Sequence, residues 1–169
     1  TSGATAGTIT FSDVLNSTSN QTLSITAGTG NVDFDSTVGA TGGAALGEIT
    51  VVSSGAIEAD NTVTSAGLDF TSTNNTTFHR LVTSTENVDI TSGSGDIILK
   101  GTGGTAGITA TARTITFTAD DIDIENTAVG DAVNAEIAAT NIVFNSNSGE
   151  VMDLGGAAGA IAGTFFLDN

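Results

Sequence analysis

An apolar doublet at positions i and i+2 recurs along this chain at intervals near twenty residues, and no other feature restricts the possible folds as strongly. Leu23/Ile25, Ile49/Val51, Leu68/Phe70, Val88/Ile90 and Ile108/Ala110 form one series, with steps of 26, 19, 20 and 20. A second series follows eight or nine residues behind, through Val32/Phe34, Ile57/Ala59, Thr76/Phe78 and Ile97/Leu99. Ile122/Ile124, Ile142/Phe144 and Ile161 extend the pattern at steps of 20 and 19. In nine of these doublets the residue inside is polar in eight (Ser24, Asp33, Thr50, Glu58, Asp69, Thr77, Asp89 and Asp123, against Ile98), which fits a strand with one wet and one buried face.

The strands so defined are short. Clusters such as Ala27 to Asn31, Ser53 to Gly55 and Ser92 to Gly95 interrupt them with the residues that tight turns prefer. Strand, turn, strand and a return to register after about twenty residues describe one coil of a β-solenoid, whose coils would stack as parallel strands about 4.8 Å apart. Residues 1–169 are read as one such all-β domain, with seven or eight coils reaching about 35 Å. The 26-residue step is accommodated if Val38 to Ala45 bulges out as a loop. An antiparallel β-sandwich is the structural rival, since it too uses short alternating strands. Asp131 to Ala139, with Val133 and Ile137 four apart, is either a short helix or a loop with a short strand.

Three Lys and Arg stand against 19 Asp and Glu, a net charge of −16. A basic stripe for phosphate contacts cannot be assembled from three cations, so nucleic acid is excluded as a partner, and an anionic membrane surface is disfavoured on the same ground. The weakly apolar stretch Gly155 to Phe166 is too short to span a bilayer, so no membrane insertion is expected. There is no cysteine, hence no disulfide framework. The chain opens Thr1-Ser2-Gly3-Ala4 without a basic or apolar leader, and an export signal is expected to have been removed or to lie elsewhere.

Leu23-Ser-Ile-Thr-Ala-Gly-Thr-Gly-Asn-Val-Asp-Phe34, Val38-Gly39 and Ala45-Leu-Gly-Glu-Ile-Thr-Val-Val-Ser-Ser-Gly-Ala56 resemble the strand repeats of filamentous-haemagglutinin-like adhesins. Gly163-Thr-Phe-Phe-Leu-Asp-Asn169 is similar to a junction between repeat blocks in such proteins. The resemblance implies a right-handed parallel β-helix, export to the cell surface and a role as stalk or adhesive fibre, and it carries over no catalytic residue.

Candidate sites are sparse. Asp33 and Asp35 share one side of a strand, as do Asp121 and Asp123, and both pairs read as solvated faces. Lys100, Arg80 and Arg113 fall at scattered phases. The single histidine, His79, has no nucleophile or metal-ligand spacing around it and reads as a surface residue. Calcium is the one cofactor considered: Gly93-Ser-Gly-Asp96 superficially resembles a calcium-binding repeat, and Ala119-Asp-Asp-Ile-Asp-Ile-Glu-Asn126 is dense in oxygen, but carboxylates alternating along a strand are expected to spread apart. Thr-x-Thr pairs at Thr8, Thr71, Thr109 and Thr114 are too irregularly spaced for a flat ice-binding face. Sequons at Asn16, Asn20, Asn74 and Asn75 are consistent with surface exposure.

These observations lead to a non-enzymatic, extracellular structural or adhesive segment of a longer exported surface protein. Its expected partners are adjoining repeats, other copies of itself and surface glycans. A self-assembling filament or sheath subunit is the alternative, with Ile9-Thr-Phe11 and Phe165-Phe-Leu167 as coupling elements. A carbohydrate-active β-helix enzyme is a distant third.

Overall fold

The computed structural model describes residues 7–39, 45–100, 107–125 and 136–147. These residues are all-β, without a helix. In chain order the strands are β1 (Ile9–Phe11), β2 (Leu23–Thr26), β3 (Val32–Phe34), β4 (Leu46–Ser54), β5 (Ile57–Ala59), β6 (Val63–Ser72) and β7 (Thr76–Phe78). They continue with β8 (Leu81–Ser84), β9 (Val88–Ser92), β10 (Ile97–Lys100), β11 (Gly107–Ala119), β12 (Ile122–Glu125) and β13 (Glu136–Ser146). One sheet runs β1-β3-β5-β7-β10-β12, and the other runs β13-β11-β8-β6-β4-β2 with β9 joined to β11 and β6.

Every pairing between these strands is parallel, so the antiparallel pairing expected of a sandwich is not found among the described residues. The register resolves into three ladders of inward side chains. The first is Ile9, Val32, Ile57, Thr76, Ile97 and Ile122. The second is Leu15, Val38, Val63, Val82, Ile108 and Ile137. The third is Leu23, Ile49, Leu68, Val88, Ile115 and Ile142. Followed along the chain, first, second and third ladder are visited in that order six times among the described residues.

Two of the three ladders are legible as the doublet series, and the middle one is not. Val38 is no part of a loop: it is 1% exposed and bridges Leu15 to Val63. Residues 40–44 lie outside the described residues. Ile108/Ala110 stands twenty residues after Val88/Ile90 but belongs to the second ladder, against Val82, whereas Val88 pairs with Ile115. Likewise Ile122 continues from Ile97, while Ile142 pairs with Ile115, so these two lie on different ladders. The reason is that β11 carries two inward doublets, Ile108/Ala110 and Ile115/Phe117, separated by a register shift between Ala110 and Thr114 where Ala112 takes φ of 59°. A single sliding period matches either doublet. The described part of Asp131 to Ala139 is strand, in β13; residues 131–135, Ile161 and Phe165 to Leu167 are outside the described residues.

The core lies between the ladders. Each doublet's second member points inward as well, giving Phe34, Ala59, Phe78 and Leu99 on one side and Val51, Phe70, Ile90 and Phe117 on the other, all at most 2% exposed. Phe11, Phe34, Phe70 and Phe78 stack in sequence, with centroid separations of 5.1, 6.2 and 6.0 Å. Phe70 thus sits at the level where Ala59 leaves room between Phe34 and Phe78, a large residue facing a small one. Phe117 and Phe144 form a further stack at 5.6 Å.

Three of the buried polar side chains, Ser72, Thr76 and Ser92, form a compact hydrogen-bonded cluster, whereas the Ser65 hydroxyl is buried without a partner. Thr76 occupies a position filled elsewhere on its ladder by Ile or Val, and its Oγ1 lies 2.9 Å from Ser72 Oγ and 3.1 Å from Ser92 Oγ. Asn side chains brace the turns between circuits: Asn31 Oδ1 accepts from Ala56 N–H, Asn75 Oδ1 from Asp96 N–H, and Asn87 Oδ1 from Thr114 N–H. Each supplies an acceptor where the ladder itself has none at that corner.

Candidate functional site

Stacking converts residues some twenty positions apart into neighbours, and on the outer face of the first sheet this gathers acidic side chains. In β3 and β5 the registers Asp33 to Glu58 and Phe34 to Ala59 place Asp35 beside Asp60. The next pairing, Ala59 to Phe78, sets His79 beside Asp60, and His79 N–H donates to Ala59 C=O at 2.9 Å. His79 Nε2 then lies 2.9 Å from Glu58 Oε1 and 3.6 Å from Asp60 Oδ1. The ligand atoms of Glu58, Asp60 and His79 all fall within 4.8 Å of one another. Burial first, then the negative charges of Glu58, Asp35 and Asp60, push the Asp33 carboxyl above the usual carboxylate range.

His79, which has no ligand spacing in its sequence neighbourhood, therefore has Glu58 and Asp60 beside it. Its partners come from the preceding circuit, at a separation no local motif search would examine. The period itself was the available signal, since Ile57 and Thr76 open equivalent doublets and Asp60 and His79 each follow one by three residues.

A second acidic cluster forms across β10 and β12. Asp96 is pushed above the usual carboxylate range by burial and then by Asp121, Asp120 and Asp123. The expected dispersal of carboxylates along Ala119 to Glu125 is thus offset by the neighbouring circuit, which supplies Asp96. Among the described residues this cluster contributes no group of three ligand atoms as close as that at His79. The Gly93 to Asp96 segment is a turn whose Asp96 N–H is held by Asn75, and Asn126 is outside the described residues.

A third feature is a cleft of about 340 Å³ floored by Gly67 and lined by Glu48, Asp69, Glu86 and Asp89. Asp69 and Asp89 are direct ladder partners. Arg113 pairs with Glu86 of this lining, its guanidinium meeting both carboxylate oxygens at 2.9 Å and donating from Nε to Thr85 C=O. Lys100 follows His79 in the outward row, and Arg80 is sequence-adjacent to His79. The sequon residues Asn16, Asn20 and Asn74 are exposed, whereas Asn75 is half-buried and engaged with the backbone of Asp96.

Chemically, these arrangements offer oxygen-rich, solvent-facing surfaces with one nitrogen donor. Comparison with family models, curated proteins and solved structures finds no match for this chain. Among the described residues no helix is long and apolar enough to cross a membrane.

Proposed function

We propose that the chain is a right-handed parallel β-helix serving as a structural or adhesive segment of an extracellular surface protein, without enzymatic activity. The observation that carries this reading is the six-fold repetition of one cyclic ladder order, with parallel pairing throughout. A chain built this way transmits load along its axis through continuous hydrogen-bonded ladders and presents long, regular outer faces. The resemblance to filamentous-haemagglutinin-like repeats points the same way. The acidic exterior suits a polymer that stays soluble outside the cell.

A second reading, a self-assembling filament subunit, is favoured by one observation. Among the described residues β1 and β12 end one sheet and β2 and β13 end the other, each with a partner on one side only.

Surface labelling of intact producing cells with an antibody against the chain tests the first reading. Labelling without permeabilisation is expected, and labelling only after lysis overturns it. Sedimentation velocity with negative-stain imaging separates the two: a monomer supports a segment within a longer chain, and ordered fibres support the subunit. Release of reducing ends from a polysaccharide panel would replace both with an enzyme.

A further inference from the structure

We propose that Glu58, Asp60 and His79 form a surface site for a divalent transition-metal ion, Zn²⁺ in preference to Ca²⁺, which joins two adjacent circuits of the fold.

The geometry is close to what such an ion needs. Two donors of a tetrahedral site with bonds of 2.0–2.1 Å lie about 3.4 Å apart. His79 Nε2 is 2.9 Å from Glu58 Oε1 and 3.6 Å from Asp60 Oδ1, and all three ligand atoms lie within 4.8 Å of one another, so rotation of the two half-exposed carboxylates can bring them around a cation. One imidazole nitrogen faces both carboxylates. In the absence of a cation a single N–H there satisfies one of them well; a metal ion takes a lone pair from all three.

The supporting framework is rigid. Glu58 lies within β5, and Asp60 and His79 immediately follow β5 and β7, strands paired in register and tied by the His79 N–H to Ala59 bond. Asp60 N–H is likewise fixed on Phe34 C=O at 3.0 Å. Glu58 and Asp60 are about half exposed, at 51% and 49%, which leaves room for water to complete the coordination shell. Asp33 in β3 and Asp35 immediately after it add carboxylates in the row next to the trio. Lys100, on β10, stands beyond His79 in the same outward row.

Donor chemistry decides the selectivity. Calcium and magnesium take oxygen ligands, whereas imidazole favours zinc, copper, nickel or iron. The sequence holds one histidine and no cysteine, so any preference for a transition metal over calcium must pass through His79. Nonspecific attraction to a surface of charge −16 would show no such dependence.

The test is isothermal titration of the full chain with ZnCl₂ and, separately, CaCl₂ in 150 mM salt, comparing wild type with His79→Gln and Asp60→Asn, and monitoring the His79 ring resonances by NMR. One Zn²⁺ per chain is expected, with perturbation of the His79 ring, at least tenfold weaker binding in each variant, and no displacement by equimolar Ca²⁺. Unchanged circular dichroism in the variants shows that the fold is retained. Zinc binding that is equal in wild type and His79→Gln overturns the site, as does a lack of binding at 1 mM or effective competition by Ca²⁺.

Discussion

The rings of Phe34 and Phe70 stack at 6.2 Å with an interplanar angle of 8°, although they belong to different sheets. Phe70 crosses the core because Ala59, on the ladder between Phe34 and Phe78, leaves the space. Enlarging Ala59 to Phe should overpack this level and cost about 3 kcal/mol, and Phe70→Ala should cost about 3–5 kcal/mol through the cavity it leaves. The double variant Ala59→Phe with Phe70→Ala exchanges the two volumes. Urea denaturation is expected to place its stability above the sum of the single losses; simple additivity would mean that the two residues do not share the space.

The buried hydroxyls of Ser72, Thr76 and Ser92 satisfy one another. Thr76→Val removes the central acceptor and should destabilise the fold by roughly 1–2 kcal/mol, since partners that lose a hydrogen bond stay desolvated. Adding Ser92→Ala to Thr76→Val removes the hydroxyl that loses its acceptor, while Ser72 keeps its bond to Asn74 C=O, so the double variant should recover much of that loss. Thermal melts of the two variants distinguish this cluster from a set of independent side chains.

Gly39 has φ of +70°, and a Cβ there would meet Thr64 C=O at 1.9 Å. Its N–H donates to Leu15 C=O, and Thr64 N–H donates to Val38 C=O, so neither backbone can retreat without breaking the second ladder. Gly39→Ala is expected to cost about 3 kcal/mol or more, measured as a fall in the denaturant midpoint. An unchanged midpoint would show that the corner is looser than these contacts require.

Asp96 carries a carboxyl raised by burial and by its acidic neighbours, so protonation favours the folded state. The stability linked to this group is fully present below its unfolded value of 3.8 and is lost as pH rises through the higher folded value. Asp96→Asn should therefore raise the melting temperature at pH 7 and leave it nearly unchanged at pH 3. Melts at the two pH values check the sign: equal shifts would mean that Asp96 does not feel the charge of Asp121, Asp120 and Asp123.

The alternation of Leu23-Ser-Ile25, Val32-Asp-Phe34 and their repeats was sufficient to give all-β structure and the inward faces, because burial on one side of a strand imposes a period of two whatever the strand pairs with. The spacing also placed Val32, Ile57, Thr76 and Ile97 on one ladder correctly. It did not reveal the second ladder, whose inward residues Val38, Val63 and Val82 are followed by small or polar residues such as Ser65 and Ser84 and so form no apolar doublet. Nor could it separate Ile108 from Ile115 as the partner of Val88, since the backbone shift at Ala112 lengthens that circuit without marking the pattern. The site follows the same division. Residue types fixed the charge and the single imidazole, but the meeting of Glu58, Asp60 and His79 depends on which circuit lies against which, and only hydrogen-bonded register in three dimensions decides that.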